Sequence, residues 1–284
     1  MTRTRCGAAA PQDGAAPPTT TAPPRAQPKD PLSMPAALRP VPALALLAAG
    51  LALTGCTATA GGDAAADGLT VCTNSPYPPF EFERDGEIVG FDMDLADEIA
   101  ADMGVEKTVV QANFETLESG AALDTGQCDV AISGITVTDE RRAVMDFSAP
   151  YFNDELALLT TKDSGITGFD ALGDATVGVQ QGTSGEDHAT GQGWQVQQFE
   201  DVELMFQSLE TDGVDAVVGN VSALGERAAD SPDLELVATL DNGEELAVAV
   251  RKGSTELLGQ VDATLERIEG DGTLERMRAD WMGQ

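Results

Sequence analysis

The residues most capable of chemistry in this 284-residue chain are four cysteines, one histidine and an adjacent pair of arginines. The cysteines stand at positions 6, 56, 72 and 128, and the histidine is His188. A structural zinc site needs a close set of thiolate and imidazole ligands. These five residues leave almost nothing for one, so no metal and no cofactor is expected. Arg141 and Arg142 offer a different chemistry. A guanidinium is a planar fork of donors that fits the two oxygens of a carboxylate. From the residues alone, Arg141 reads rather as a surface helix residue like its neighbour. Acidic residues outnumber basic ones 48 to 16, and the net charge of −32 excludes a nucleic-acid backbone as the main partner.

The elements that must position these residues have a soluble, aliphatic α/β composition, 42% apolar but 5% aromatic. The length suffices for one large domain or two small ones. Leu69 to Thr73 reads as a short strand leading into the turn Ser75-Pro76-Tyr77-Pro78-Pro79. Phe91, Leu95, Ile99 and Met103 recur at helical spacing, with Asp92, Asp94, Asp97, Glu98 and Asp102 assigned to other faces and Gly104 placed to cap the end. Val109-Val110 and Val130 to Ile132 read as buried strands. Leu257, Leu258, Val261, Leu265 and Ile268 are spaced as the core face of a further helix.

The segment Leu123 to Ile132 then returns as Leu209 to Val218, at an offset of 86 that pairs Asp129 with Asp215. Val177-Gly178-Val179 echoes Leu69-Thr70-Val71 in the same way. Two strand–helix alternations imply two parallel-sheet lobes, each with its ligand edge at the carboxyl ends of strands, and a cleft between them. One continuous doubly wound domain is the competing arrangement.

Upstream of Leu69 the chain changes character. Met1 to Ser33 is rich in Pro, Thr and Ala and has no apolar period. Arg39 precedes an apolar run from Val41 to Leu53, too short to span a bilayer as a helix, and Leu53-Thr54-Gly55-Cys56 follows. A basic-then-apolar lead ending in small residues reads as a secretion signal. Its last four residues resemble the lipobox of bacterial lipoproteins, which implies acylation of Cys56; an ordinary signal peptide is the alternative. Residues 1–55 are thus expected to be leader, 56–68 a flexible tether, and Met34 the initiator in place of Met1. Two acids and five bases precede Thr57, which leaves 46 acids against 11 bases beyond it.

Five further stretches resemble family 3 extracytoplasmic solute-binding proteins, the polar amino-acid receptors of ABC importers. They are Asn74 to Phe82 with Val89 to Leu95, Ser133 to Arg141 with Asp146 to Phe152, Val177 to Asp187, Val248 to Gly253, and Gly272 to Trp281. The resemblance covers Leu69 to Gly283 and implies the type II periplasmic-binding-protein fold: two Rossmann-like lobes joined by a two-crossing hinge. Lobe one would hold 69–152 and 247–284, lobe two 156–243. The crossings would fall near Asn153-Asp154-Glu155 and Glu244-Glu245.

The resemblance also assigns the site. Arg141 would grip a ligand carboxylate, helped by backbone N–H groups around Ser133, Gly134 and Thr136, by the Thr136 hydroxyl, and by Thr183 and Ser184 at a helix start in lobe two. Tyr77 and Phe114 would wall the ligand's carbon chain; Phe114 reads equally as core, with Thr116 as the alternative in its place. Asn220 stands where many members carry the aspartate that receives the α-ammonium, a loss of ~1–2 kcal/mol, or about tenfold. Asn220→Asp is accordingly expected to strengthen binding of an α-ammonium ligand. A neighbouring acid, Asp215 or Glu226, is the alternative receptor, although Asp215 matches Asp129 and reads as structural. Asn74 likewise replaces a common aspartate at the side-chain end of the pocket. Apart from Arg141 and Arg142, lobe one offers only Arg84 and Lys107 as bases before the hinge, neither in a motif. The expected ligand is therefore a free amino acid with an uncharged polar side chain, with Gln180 as a side-chain contact. Cys72 and Cys128, on neighbouring strands of that fold, are expected to form a disulfide in an exported chain, two buried thiols being the alternative.

The function implied is a monomeric receptor, lipid-anchored at the outer face of the bacterial cytoplasmic membrane, that delivers its ligand to an ABC permease; it is not expected to be an enzyme. A prephenate-type dehydratase on the same fold would need a general acid, which Asn220 cannot supply. A ligand-sensing module of a signalling system is the other alternative.

Overall fold

The computed structural model describes residues 68–283. The leader, Met34, Cys56 and the tether up to residue 67 lie outside the described residues. The order begins β1 (Leu69–Thr73), β2 (Phe82–Arg84), β3 (Glu87–Val89), α1 (Phe91–Met103), β4 (Lys107–Gln111), α2 (Phe114–Glu118), α3 (Ala121–Asp124), β5 (Val130–Ala131), α4 (Asp139–Val144) and β6 (Met145–Phe147). It continues with β7 (Phe152–Thr161), β8 (Thr176–Gln180), α5 (Ser184–Gly191), β9 (Gln195–Phe199), α6 (Val202–Glu210), β10 (Ala216–Asn220), α7 (Val221–Asp230) and β11 (Leu234–Leu246). It ends with β12 (Ala249–Arg251), α8 (Thr255–Gly270) and α9 (Thr273–Met282).

Two five-stranded sheets result, ordered β4-β1-β5-β12-β6 and β11-β7-β10-β8-β9. Each contains the parallel trio that the repeat predicts, β4-β1-β5 in one and β10-β8-β9 in the other. Each also carries two antiparallel strands, β12 and β6 in the first, β7 and β11 in the second. The difference arises where the chain passes between sheets. A parallel neighbour needs a long crossover, usually a helix, whereas β7 and β11 run out and back as one antiparallel ribbon.

The internal repeat has a physical basis. Asp129 Oδ2 accepts from the Thr70 amide at 2.8 Å, and Asp215 Oδ2 accepts from the Thr176 amide at 2.7 Å. In each copy the aspartate's own amide also donates to the threonine carbonyl, at 2.9 Å. Each acid therefore locks the start of a central strand to the start of its parallel neighbour. The structural equivalent of Thr70 is Thr176 rather than Gly178; a two-residue shift preserves which face each strand residue occupies.

Helix α1 packs Phe91, Leu95, Ala96 and Ile99 against Val71, Val130 and, from α8, Leu257, Val261, Leu265 and Ile268. Gly104 ends it at φ 71°, donating to the Ala100 and Ala101 carbonyls. At its start Gly90 has φ 136°, and a Cβ there would stand 2.1 Å from the Phe80 carbonyl oxygen. Only glycine fits that approach. One expectation is corrected here: Asp92 is fully buried rather than on an outer face. It shares the inward stripe of Leu95, Ala96 and Ile99, one turn and two turns on.

Candidate functional site

Strand β1 ends at Thr73, and the chain turns through Asn74 into a Pro-rich loop with cis bonds at Ser75-Pro76 and Pro78-Pro79. Tyr77 projects from that loop and stacks on Phe80, ring centroids 5.8 Å apart. Beyond β5, Ser133 accepts from the Asn74 amide at 3.0 Å and donates its hydroxyl to the buried Glu81 carboxylate. The Gly134 amide donates to Asp92 Oδ2 at 2.7 Å, and the Tyr151 hydroxyl donates to the same oxygen at 3.1 Å. Two acids absent from the expected site, Glu81 and Asp92, thus hold the loop from behind. Burial raises both, Glu81 well above the usual carboxylate range and Asp92 to about 6, and the charge of Asp92 raises Glu81 further.

Thr138 caps α4 by accepting from the Arg141 amide, which fixes where the Arg141 side chain leaves the helix. That side chain is buried, 3% exposed, whereas Arg142 is exposed. Arg141 Nη1 donates to the Thr136 carbonyl and Nη2 to the Gly182 carbonyl, both at 2.7 Å. Its guanidinium lies 5.4 Å from the centroid of the Phe114 ring. Burial lowers its pKa, opposed by Glu118 and Asp187. The Phe114 ring lies beside the guanidinium, lines the cavity and packs with Leu117 and Leu123 in the core. Thr116 is tied to the Asn113 cap of α2.

From the second sheet, β8 delivers Gln180, whose Nε2 donates to Asn74 Oδ1 at 2.8 Å. Thr183 caps α5: its hydroxyl donates to the Gln180 carbonyl and accepts from the Glu186 amide. Asn220, at the end of β10, accepts from the Tyr77 hydroxyl at 2.9 Å and donates to Glu244 Oε2 at 2.7 Å. The Thr136 hydroxyl donates to the same Glu244 oxygen at 2.9 Å.

One narrow cavity, of about 10 Å³, is lined by the residues singled out above. The first sheet's side contributes Asn74, Tyr77, Phe114, Ser133, Gly134, Thr136 and Arg141, and the second sheet's side Gln180, Thr183, Ser184 and Asn220. Arg141 is the one charged side chain among them. A second void, also of about 10 Å³, shares Tyr77, Gln180, Thr183 and Asn220 with it and is otherwise lined by Val202, Met205, Val218, Gly219, Ala223 and Leu224. Asp215 is engaged with β8 as described, and Glu226 lines a separate pocket with Arg84 and Trp281. Lys107 pairs with Asp97, away from the cavity. The acid beside Asn220 is Glu244, which the sequence marked only as a crossing point. The Cys72 and Cys128 sulfurs are bonded, with Cα atoms 5.6 Å apart. No cluster of potential metal ligands occurs among the described residues, and no described helix is long and apolar enough to cross a membrane.

Known proteins are similar to this chain in sequence and in fold. The chain is 31% identical over 221 residues to the L-cystine-binding protein TcyJ of Escherichia coli (strain K12), covering 76% of this chain and 82% of that protein. It is 32% identical over 238 residues to the arginine-binding extracellular protein ArtP of Bacillus subtilis (strain 168), covering 81% and 92%. An ancestral arginine-binding protein solved with glutamine superposes with a TM-score of 0.74 at 34% identity, over 78% of this chain and 100% of that one. These relatives are binding proteins, not enzymes. Residues 69–284 match the bacterial extracellular solute-binding proteins, family 3, and with two such sheets closing on one buried arginine, the chain belongs to that family.

Proposed function

We propose that this chain captures a free amino acid with an uncharged polar side chain outside the cell and hands it to an ABC importer. The observation that carries the reading is Arg141, buried at the wall of a cavity whose other lining residues carry no charge. A guanidinium held by two carbonyls and backed by a phenyl ring is oriented to receive a carboxylate. The N-terminus of α5, at Thr183 and Ser184, adds partial positive charge from the opposite lobe. Asn74 and Gln180 offer amides and no net charge at the far end, which suits a polar, neutral side chain. Among the lining residues there is no carboxyl, thiol or imidazole to act as an acid in a dehydratase reaction.

In this reading β7 and β11 form the hinge between a lobe of 69–152 with 247–284 and a lobe of 156–243. Groups from both lobes meet the ligand together only when the lobes are closed, so ligand draws the population towards closure. Cys56 carries the lipid that holds the monomeric receptor at the outer face of the cytoplasmic membrane, and Cys56→Ser is expected to free it into the soluble fraction.

The test is a thermal-shift screen of the purified protein against the proteinogenic amino acids, L-cystine and their D-enantiomers. A neutral polar amino acid recovered unchanged, with a raised melting temperature, supports the reading. A larger shift with arginine or lysine would overturn the side-chain assignment.

A further inference from the structure

We propose that Glu244 is the positioning residue that makes Asn220 an acceptor for the ligand's α-ammonium and supplies the negative charge which Asn220 lacks. The inference rests on the amino-acid-receptor reading above.

Glu244 is buried, 4% exposed, on the β11 side of the hinge ribbon. Its Oε2 accepts from Asn220 Nδ2 and the Thr136 hydroxyl, and its Oε1 from Asn242 Nδ2 at 2.7 Å. All three donors are neutral. Directly across the ribbon stands Asp154, also buried, paired with Glu244 in the strand register. Among the described residues no lysine or arginine lies within ion-pairing distance of either acid. Two adjacent buried carboxyls without a cation are costly, and a cation brought close to them is correspondingly favoured. Burial first, and then the charges of Asp154 and Glu244, raise the Tyr77 phenol, while burial first and Glu244 least of the causes raise Asp154 to about 6.

The hydrogen bonds fix which way Asn220 faces. An ionised carboxylate can only accept, so Asn220 must turn its NH2 to Glu244 and its carbonyl oxygen the other way. That oxygen meets the Tyr77 hydroxyl at the cavity wall and keeps a second lone pair for another donor. An ammonium at Asn220 Oδ1 would thus have an oriented dipole in front and a full negative charge one residue behind. The same geometry reverses the effect expected of Asn220→Asp. An aspartate there would set its oxygen against Glu244 Oε2 at the present 2.7 Å, carboxylate against carboxylate.

Three variants test this: Glu244→Gln, Asn220→Asp and the double substitution. Calorimetric titration would use the best-binding L-amino acid of the screen and its α-hydroxy counterpart, which lacks the ammonium. Glu244→Gln is expected to weaken the amino acid at least tenfold, about 1.4 kcal/mol, and to leave the α-hydroxy acid nearly unchanged. Asn220→Asp alone should not tighten binding, while the double variant, with one acid moved forward by one residue, should recover most of the wild-type affinity. Equal weakening of both ligands by Glu244→Gln, or tighter binding by Asn220→Asp alone, overturns the proposal. Should Glu244→Gln fail to fold, the Asn220→Asp result still decides. Wild-type protein that binds no amino acid sinks the receptor reading and this inference with it. Wild-type binding with no response to Glu244→Gln sinks this inference alone.

Discussion

Arg141 and Gly182 join the two halves of the site: the guanidinium Nη2 leaves α4 beside the first sheet and donates, at 2.7 Å, to the carbonyl just ahead of α5 in the second. The side chain proposed as the carboxylate anchor is therefore also a link across the cleft.

Arg141→Ala is expected to abolish amino-acid binding, a loss of about 3 kcal/mol or more and hence over a hundredfold in Kd. Arg141→Lys should recover little, because an ammonium cannot reproduce the fork. Isothermal titration with the ligand found by screening decides the matter. Retention of affinity within a few-fold in the alanine variant would place the ligand's carboxylate elsewhere.

Stability is expected to fall as pH rises from about 4 to about 7. Asp92 and Asp154 titrate at about 6 in the folded chain because burial disfavours their charge, whereas unfolded aspartate titrates near ~3.9. Between those values the folded state binds more protons, so each group's contribution is complete at low pH and lost as pH passes its folded value. For Asp154 this is worth up to about 3 kcal/mol by linkage. Differential scanning calorimetry across this range should show Tm declining, and Glu81→Gln, which removes a carboxyl raised by its own burial and by the charge of Asp92, should flatten the decline. A Tm that rises steadily from pH 4 to pH 7 contradicts this account.

Breaking the Cys72–Cys128 link should cost about 4 kcal/mol in the chain-entropy description, given a sequence separation of 56. Chemical unfolding with and without reductant measures it. Two free thiols found by mass spectrometry of non-reduced protein from an oxidising compartment would remove the basis of the prediction.

Gly90→Ala is expected to be severely destabilising, by roughly 3 kcal/mol or more, since the new methyl would meet the Phe80 carbonyl at 2.1 Å. The Asp92 amide donates to that same carbonyl, so partially folded protein should also lose ligand affinity through the Ser133-Gly134 loop. An unchanged midpoint in urea would show that the turn relaxes freely.

Much of this was legible in the chain itself, for identifiable reasons. Asp129 and Asp215 repeat because each closes the same strand-to-strand lock, and α1 declared itself by its apolar spacing and its terminal glycine. The cavity residues lie in short contiguous motifs, so their types and order identify them. Glu244 escaped because its importance depends on strand register: it faces Asp154 and Asn220 only once β11 folds back along β7. The charge of Asp92 argues for an outer face, although its position one turn before Leu95 and Ala96 puts it on the buried stripe. Glu81 and Asp92 gain their place from the loop they support, a relation between distant segments that no local pattern carries.

Strand β12 lies between β5 and β6 in the interior of its sheet, yet it is contributed by residues that follow the whole of the other lobe. A polypeptide threaded outward from its amino end must therefore expose one edge of Val130–Ala131 until Ala249–Arg251 arrives. Unpaired edges of this kind invite association with other chains. The later-made half can mature first, and the earlier-made half is sealed last, so a nascent molecule halted between the two would be the species most in need of a chaperone.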